Sequence, residues 1–189
     1  MGKRGFIVLL LTLFFSSLFY GNEDFCGKIE KENILNTFPE WQETVTAYSP
    51  DPEIIYNLQT FDIPVNIEIF LGTWCHDSVQ HVSEYFKIMD MVDNPYFMTI
   101  YTGIPKDKKS REPYIKGKNI QKIPTFIIYI DGEEIGRIIE HPIKSLEEDI
   151  LDIISVLSTS QADIDLDFYL SNYHADLNID CTQCHQPRY

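Results

Sequence analysis

Val65-Asn66-Ile67-Glu68-Ile69-Phe70-Leu71-Gly72-Thr73-Trp74-Cys75-His76-Asp77-Ser78 is the stretch on which the fold turns. Its first half alternates apolar and polar residues and then becomes continuously apolar, the pattern of a strand running into a core. The strand stops at Gly72. Beyond it, Asp77 to Val92 carries Val79, Val82, Phe86 and Met89 at three- and four-residue spacing, which predicts an amphipathic helix of about four turns. Cys75 thereby falls on the first turn of a helix that follows a strand. Free backbone N–H groups and the positive end of the helix dipole favour a thiolate there, so this thiol is expected to be more nucleophilic than an ordinary one. Trp74 can shield it and His76 can tune its charge. Junctions of this kind face solvent at the carboxyl end of α/β sheets.

Outward from this stretch the chain keeps alternating. Tyr96 to Tyr101 reads as the next strand, Lys106 to Lys118 as a polar loop, and Phe126-Ile127-Ile128-Tyr129-Ile130 as a nearly all-apolar strand. Asp131-Gly132 is a tight hairpin turn, with Glu134 to Glu140 as the antiparallel partner. A helix from Ser145 to about Leu157 has Ser145 as N-cap and Glu148 three residues on, a capping box. On the amino-terminal side, Glu30 to Thr60 has helical spacing broken by Pro39, Pro50 and Pro52, which predicts two or three short helices before the main sheet. Gln161 to Tyr173 adds a last helix, and Ala175 to Tyr189 reads as an irregular tail. There is no internal repeat.

A second motif, Lys122-Ile123-Pro124-Thr125, stands immediately before the most apolar strand, where proline is tolerated and an X-Pro bond can be cis. Trp74-Cys75-x-x-Ser78 on a strand-to-helix turn, followed by Ile123-Pro124-Thr125 entering a hairpin, resembles the thioredoxin family over roughly Pro64 to Ser158. The resemblance implies an α/β thioredoxin-like fold over 64–158, a central mixed sheet flanked by helices, with a helical N-terminal extension over 22–63. It also implies a catalytic site at Cys75, Ser78 and Pro124, with Cys75 the nucleophile and Pro124 cis and packed beside it. Trp74 and Thr125 would border the substrate.

One departure limits the mechanism. Thioredoxins carry a second cysteine three residues after the first, and here that position is Ser78. Cys75 alone can attack a disulfide and form a mixed disulfide, but the motif holds no thiol to resolve it. Three readings follow: a monothiol exchange enzyme resolved by an external thiol, a trapping or binding module, or an enzyme that recruits a cysteine from elsewhere in the chain. Asp77 replaces the usual proline and would set a carboxylate against the pull of the dipole on the sulfur.

Composition narrows the class further. The chain has 189 residues, 44% hydrophobic, with 15 Lys+Arg against 29 Asp+Glu and a formal net charge of -14. Its mean hydropathy is -0.16. That length suits one domain with a modest extension. The negative balance repels phosphate backbones, so nucleic acid is excluded as a partner. Twelve Phe, 11 Tyr and 2 Trp supply enough apolar surface to argue against disorder. Four cysteines are too few for a disulfide scaffold, and each needs its own explanation.

Lys3 and Arg4 precede an apolar run from Phe6 to Tyr20, the charged and apolar regions of an export signal, so residues 1–21 are expected to be a signal peptide or an uncleaved signal anchor. The run is shorter than the ~20 residues of a usual membrane span. Gly21 could sit at the cut, with bulky Phe19 two residues before it. Removal leaves the rest of the chain more acidic still, in a periplasmic or other extracytoplasmic space. Membrane contact would come only through this segment if it stays uncleaved. Cys26 lacks the small-residue context of a lipid-anchor site.

The tail, 159–189 with its helix, ends in Cys181-Thr182-Gln183-Cys184-His185. C-x-x-C-H is the attachment signature of c-type haem, two thiols for the vinyl groups and a histidine for the iron. The surrounding segment is polar, and His174, His141 or a methionine would have to be the second ligand. A disulfide or a reactive dithiol is the other reading, while zinc lacks a second ligand pair. A tail of about ten residues past the last helix reaches ~30 Å, enough to bring Cys181 or Cys184 to Cys75. Cys26 is a further candidate partner.

Other features read as structural. His81 is expected on the helix surface, His141-Pro142 at a strand exit, and Lys106 to Arg111 as a solvated basic loop able to dock an acidic partner. Asp163, Asp165 and Asp167 lack the glycine and terminal glutamate of a calcium loop. The function expected is an exported thiol–disulfide exchange protein acting on protein thiols or disulfides, with no cofactor or metal needed for the thiol chemistry. The competing class is a non-catalytic thioredoxin-fold binding module, with or without a c-type haem on its tail.

Overall fold

The structure is a computed structural model that describes residues 25–156. The export segment, the helix expected over 161–173 and the Cys181-x-x-Cys184-His185 motif lie outside the described residues. The elements in chain order are β1 (Gly27–Ile29), α1 (Lys31–Thr37), α2 (Pro39–Ala47), α3 (Pro52–Gln59), β2 (Val65–Leu71), α4 (His76–Val92), β3 (Phe97–Gly103), α5 (Glu112–Ile115), β4 (Thr125–Ile130) and β5 (Glu133–Ile139). A last helix, α6, covers 146–156. The sheet order is β1-β3-β2-β4-β5, with β2 parallel to β3 and every other pair antiparallel.

Alternation along β2 sorts its side chains between two cores. Val65, Ile67, Ile69 and Leu71 enter a large core with α1 to α4 and α6, while Phe70 joins Ile104, Ile120, Ile123 and Ile127 on the other face. The continuously apolar end of the strand is thus a residue for each face. Asn66 and Glu68 face the less covered part of that second side, where Glu68 pairs with Lys118 and accepts from Tyr129 Oη.

The expected helices before β2 are present and number three. Pro39 and Pro52 stand at the first position of α2 and α3, where a fixed φ and a missing N–H cost nothing. Asp51 caps α3, accepting from the N–H groups of Glu53 (2.8 Å) and Ile54 (3.4 Å). These helices share the sheet's core: Ile34, Trp41 and Leu58 are fully buried, and the Trp41 ring lies 6.0 Å from that of Phe86 on α4. Buried Glu147 on α6 ties them in further, accepting from Tyr48 Oη (2.6 Å) and Asp51 N (3.0 Å).

Strand β1 is not announced by the sequence. Three residues are too few for a period, and they pair with the end of β3 through Gly27↔Gly103 and Ile29↔Tyr101. Gly103 permits it, since a Cβ there would stand 1.9 Å from the Phe25 carbonyl oxygen. The segment read as a plain loop between β3 and β4 contains a 3-10 turn at Lys108–Ser110 as well as α5. The hairpin follows expectation, with Asp131 at φ 52 and Gly132 at φ 82, the left-handed pair that a two-residue turn between twisted strands demands. At α6 half of the expected capping box forms: Ser145 Oγ accepts from Glu148 N at 3.3 Å. The Glu148 carboxylate pairs with Lys144 instead of turning back, and Asp149 takes the N–H groups of Ile143 and Lys144.

Burial of tyrosines sets an alkaline limit on this core. Burial pushes the Tyr85 phenol well above its ordinary value near 10, partly offset by the Tyr85 Oη···Thr99 Oγ1 hydrogen bond of 2.6 Å. Burial raises Tyr101 and Tyr48 in the same direction. Above pH 10 the unfolded chain loses these protons and the folded one keeps them, so stability falls as pH rises. Tyr85 alone contributes a slope of about 1.4 kcal/mol per pH unit above 10. Urea unfolding between pH 9 and 11.5 checks this, and a flat profile would contradict it.

Candidate active site

The end of β2 and the start of α4 are joined by a loop held at both ends. The Gly72 carbonyl accepts from Cys75 N (2.9 Å), and the Gly72 N–H donates to Ser78 Oγ (3.2 Å). A Cβ on Gly72 would stand 2.7 Å from Trp74 Cε2 and 2.9 Å from Ile123 Cδ1. Glycine is therefore what lets the indole and Ile123 close over the strand end. Neither Gly72 nor Ile123 is conspicuous in the sequence, because the need for each comes from a residue on the other segment.

Cys75 is the N-cap of α4, at φ -99 and ψ 123, with its carbonyl accepting from Val79 N at 3.0 Å. It stands one position ahead of the first turn where the periodicity put it, still before the helix's free N–H groups. It is partly exposed. Its Sγ donates a weak contact to the Ile123 carbonyl oxygen at 3.7 Å, and the Ile123-Pro124 peptide is cis. The tertiary structure thus brings together two motifs almost fifty residues apart. Thr125 Oγ1, buried, donates to the Lys122 carbonyl at 2.7 Å and holds the turn around Pro124. The Pro124 carbonyl in turn accepts from Glu140 N at 2.7 Å.

Trp74 is fixed rather than free to swing. Its Nε1 donates to the Ile104 carbonyl at 3.1 Å, and the Arg111 guanidinium lies over the ring at 5.2 Å. Arg111 is itself anchored, Nε to the Pro105 carbonyl (2.9 Å) and Nη2 to the Lys106 carbonyl (3.0 Å). The sequence alone places Arg111 in a solvated basic loop. The available signal was its identity, since among the lysines of that loop it alone has a planar head able to stack on an indole and bond two carbonyls.

Ser78 is fully buried, and its hydroxyl turns to Gly72 N, so it locks the loop from beneath. His76 is exposed. The Asp77 carboxylate has no hydrogen-bond or ion-pair partner among the described residues. His81 differs from the exposed surface residue expected: its side chain is 17% accessible, Nδ1 lies 2.8 Å from Glu84 Oε2, and its ring sits 6.1 Å from that of His141. Tertiary packing of the β5 exit against α4 supplies His141, while Glu84 comes from the next turn of α4 itself. Cys26 is exposed and precedes Gly27, and the registers Gly27↔Gly103 and Leu71↔Gly103 put it at the same end of the sheet as Cys75, two strands away.

No protein-family model matches the sequence, and no curated protein matches it. Solved structures do share its fold. A protein of unknown function from Pseudomonas aeruginosa is 13% identical, with a TM-score of 0.51 over 71% of this chain and 93% of that one. An HIV epitope scaffold is also 13% identical, with a TM-score of 0.52 over 70% of this chain and 93% of that one. The likeness is one of fold alone. A mutant thioredoxin from Halobacterium salinarum is 16% identical, with a TM-score of 0.36 over 53% of this chain and 80% of that one.

Proposed function

We propose that this chain is an exported thioredoxin-like protein that carries out thiol–disulfide exchange through Cys75, with protein thiols or disulfides as substrates. The observation that carries the reading is the partly exposed Cys75 at the amino end of α4, its Sγ against the carbonyl that precedes cis Pro124. A thiolate there attacks one sulfur of a substrate disulfide, the S–S bond breaks, and the other sulfur leaves as a thiolate. Trp74 borders the approach, its Nε1 held by the Ile104 carbonyl, while Thr125, expected to border the substrate, is buried and holds the turn around Pro124 from within. Lys3, Arg4 and the apolar run that follows support an extracytoplasmic location.

Alkylation tests the nucleophile. At neutral pH, Cys75 is expected to react with iodoacetamide roughly tenfold faster than a model thiol, and Cys75→Ala to abolish mixed-disulfide formation with a disulfide-bonded protein. Reaction at the model rate, together with an unaffected Cys75→Ala, would sink the reading. The buried Ser78 at the resolving position favours a second one, a non-catalytic binding module. That module is proposed with or without a c-type haem on Cys181, Cys184 and His185, and a Soret band in protein made by a host with cytochrome c maturation would establish the haem-bearing form.

A further inference from the structure

We propose that the basic connection between β3 and β4 selects the substrates of Cys75, docking an acidic peptide segment next to the sulfur that Cys75 attacks. The proposal rests on the exchange reading of Cys75 and names a substrate class for it: protein disulfides flanked by aspartate and glutamate.

Charge is distributed very unevenly along this chain. Seven of its 15 Lys+Arg fall between positions 106 and 122, where only Asp107 and Glu112 are acidic. Three of the seven are engaged, Lys118 with Glu68, Lys122 with Glu140, and Arg111 with two carbonyls and the Trp74 ring. Lys106, Lys108, Lys109 and Lys116 are exposed and have no acidic partner among the described residues. Asp107 turns its carboxylate to Ser110 Oγ (2.7 Å) and Lys109 N (3.3 Å) instead. In a protein of net charge -14, this is a concentrated positive surface.

Two anchors on one indole set that surface beside the nucleophile. The Ile104 carbonyl, where the connection begins, accepts from Trp74 Nε1 at 3.1 Å, and Arg111 returns to lie over the same ring at 5.2 Å. Arg111 also closes the loop on itself through the carbonyls of Pro105 (2.9 Å) and Lys106 (3.0 Å). Lys106, Lys108 and Lys109 therefore sit in a short loop that leaves Trp74 and comes back to it. Half of such a loop, about three residues, spans no more than ~10 Å, which is about the Debye length at 0.1 M salt. The rest of the connection is fixed as well. Ile104, Ile120 and Ile123 are buried, with Tyr114 and Ile115 packed against them, in the same cluster that Trp74 and Cys75 border.

The other side of Cys75 has the opposite sign, because Asp77 stands in the first turn of α4. A peptide approaching the sulfur meets ammonium groups on the side of the connection and a carboxylate on the side of the helix. Its acidic residues accordingly lie over the loop. Exposed pairs of this kind add little affinity each and act mainly on the rate of encounter, so the rate is what the test reads.

The test uses the full chain, fully reduced, and three peptides of equal length. Each carries one cysteine as its 2-thiopyridyl disulfide, flanked on both sides by Asp-Glu, by Asn-Gln or by Lys-Lys. Cys75 thiolate bonds to the peptide sulfur, the S–S bond to the pyridyl group breaks, and pyridine-2-thione leaves and absorbs. The Cys75-dependent rate is the wild-type rate less that of Cys75→Ala, divided by the rate of N-acetylcysteinamide with the same peptide. The expected order is acidic, neutral, basic, with the acidic peptide roughly tenfold faster than the neutral one at 20 mM salt and the gap closing at 0.5 M. Lys106→Glu/Lys108→Glu/Lys109→Glu should bring the acidic-to-neutral ratio to one or below, whereas Lys87→Glu, about three turns along α4 from Cys75, should keep it. Equal rates for the three peptides, or a preference that survives the charge reversals, overturns the docking and leaves Cys75 reactive. If no peptide reacts faster than with the model thiol, the exchange reading fails instead. Anisotropy of a rhodamine-labelled Asp-Glu-Ser-Asp-Glu peptide then decides the surface alone: binding lost on charge reversal upholds it, and binding absent or unchanged overturns it.

Discussion

Trp41→Ala is expected to lower the free energy of unfolding by about 3–5 kcal/mol, a large part of the 5–15 typical of a domain. The indole is completely buried in α2, against Phe86 of α4, so truncation opens a cavity between two helices that no neighbouring side chain can fill without moving. Trp41→Phe gives the contrast. Trp41 Nε1 has no hydrogen-bond partner among the described residues, so the ring change removes a buried unpaired donor along with some volume. It should cost no more than about 1–2 kcal/mol. Urea unfolding followed by circular dichroism measures both. If Trp41→Ala stays within about 1 kcal/mol of wild type, α1 to α3 are a separable appendage rather than part of the core.

Ser78→Cys is expected to convert a one-thiol site into a two-thiol site. Residues 75 and 78 stand at the N-cap and third position of α4, a separation within the Cα range that a disulfide spans. The Gly72 N–H loses its hydroxyl acceptor, at a cost of about 1 kcal/mol, which the fold should tolerate. Mild oxidation should then join Cys75 to the introduced thiol, and the peptide map should show that disulfide. Dithiothreitol-driven insulin reduction should rise roughly tenfold or more over wild type, because the mixed disulfide gains a resolving thiol next to it. A variant that folds but forms no such disulfide, with insulin reduction unchanged, would show that Cys75 does not present its sulfur for exchange.

Local patterns carried much of the description. The alternation in β2, the spacing in α4, the prolines that start α2 and α3 and the Asp131-Gly132 turn each act within a few residues, and the structure has each element close to where its residues put it. Strand β1 escaped because its three residues are held by an edge of β3 and by the missing side chain of Gly103. Arg111 and His81 differ from the sequence expectation for the same reason. Their neighbours, Trp74 and the pair Glu84 and His141, include residues from other elements, and no period in one segment reports a contact with another.

By itself the sequence determined that a cysteine would stand where a helix begins after a strand, that serine would replace the second thiol, and that positive and negative charge would be sorted between one loop and one tail. Each of these is a matter of residue identity and short-range spacing. Only the tertiary structure decided that Cys75 would meet the Ile123 carbonyl, that Ser78 would be sealed beneath the loop, and that the basic connection would lie against Trp74 beside the sulfur. Those contacts depend on strands β2, β3 and β4 pairing side by side, and hydrogen bonds between strands are made across distances in the chain that local spacing does not encode.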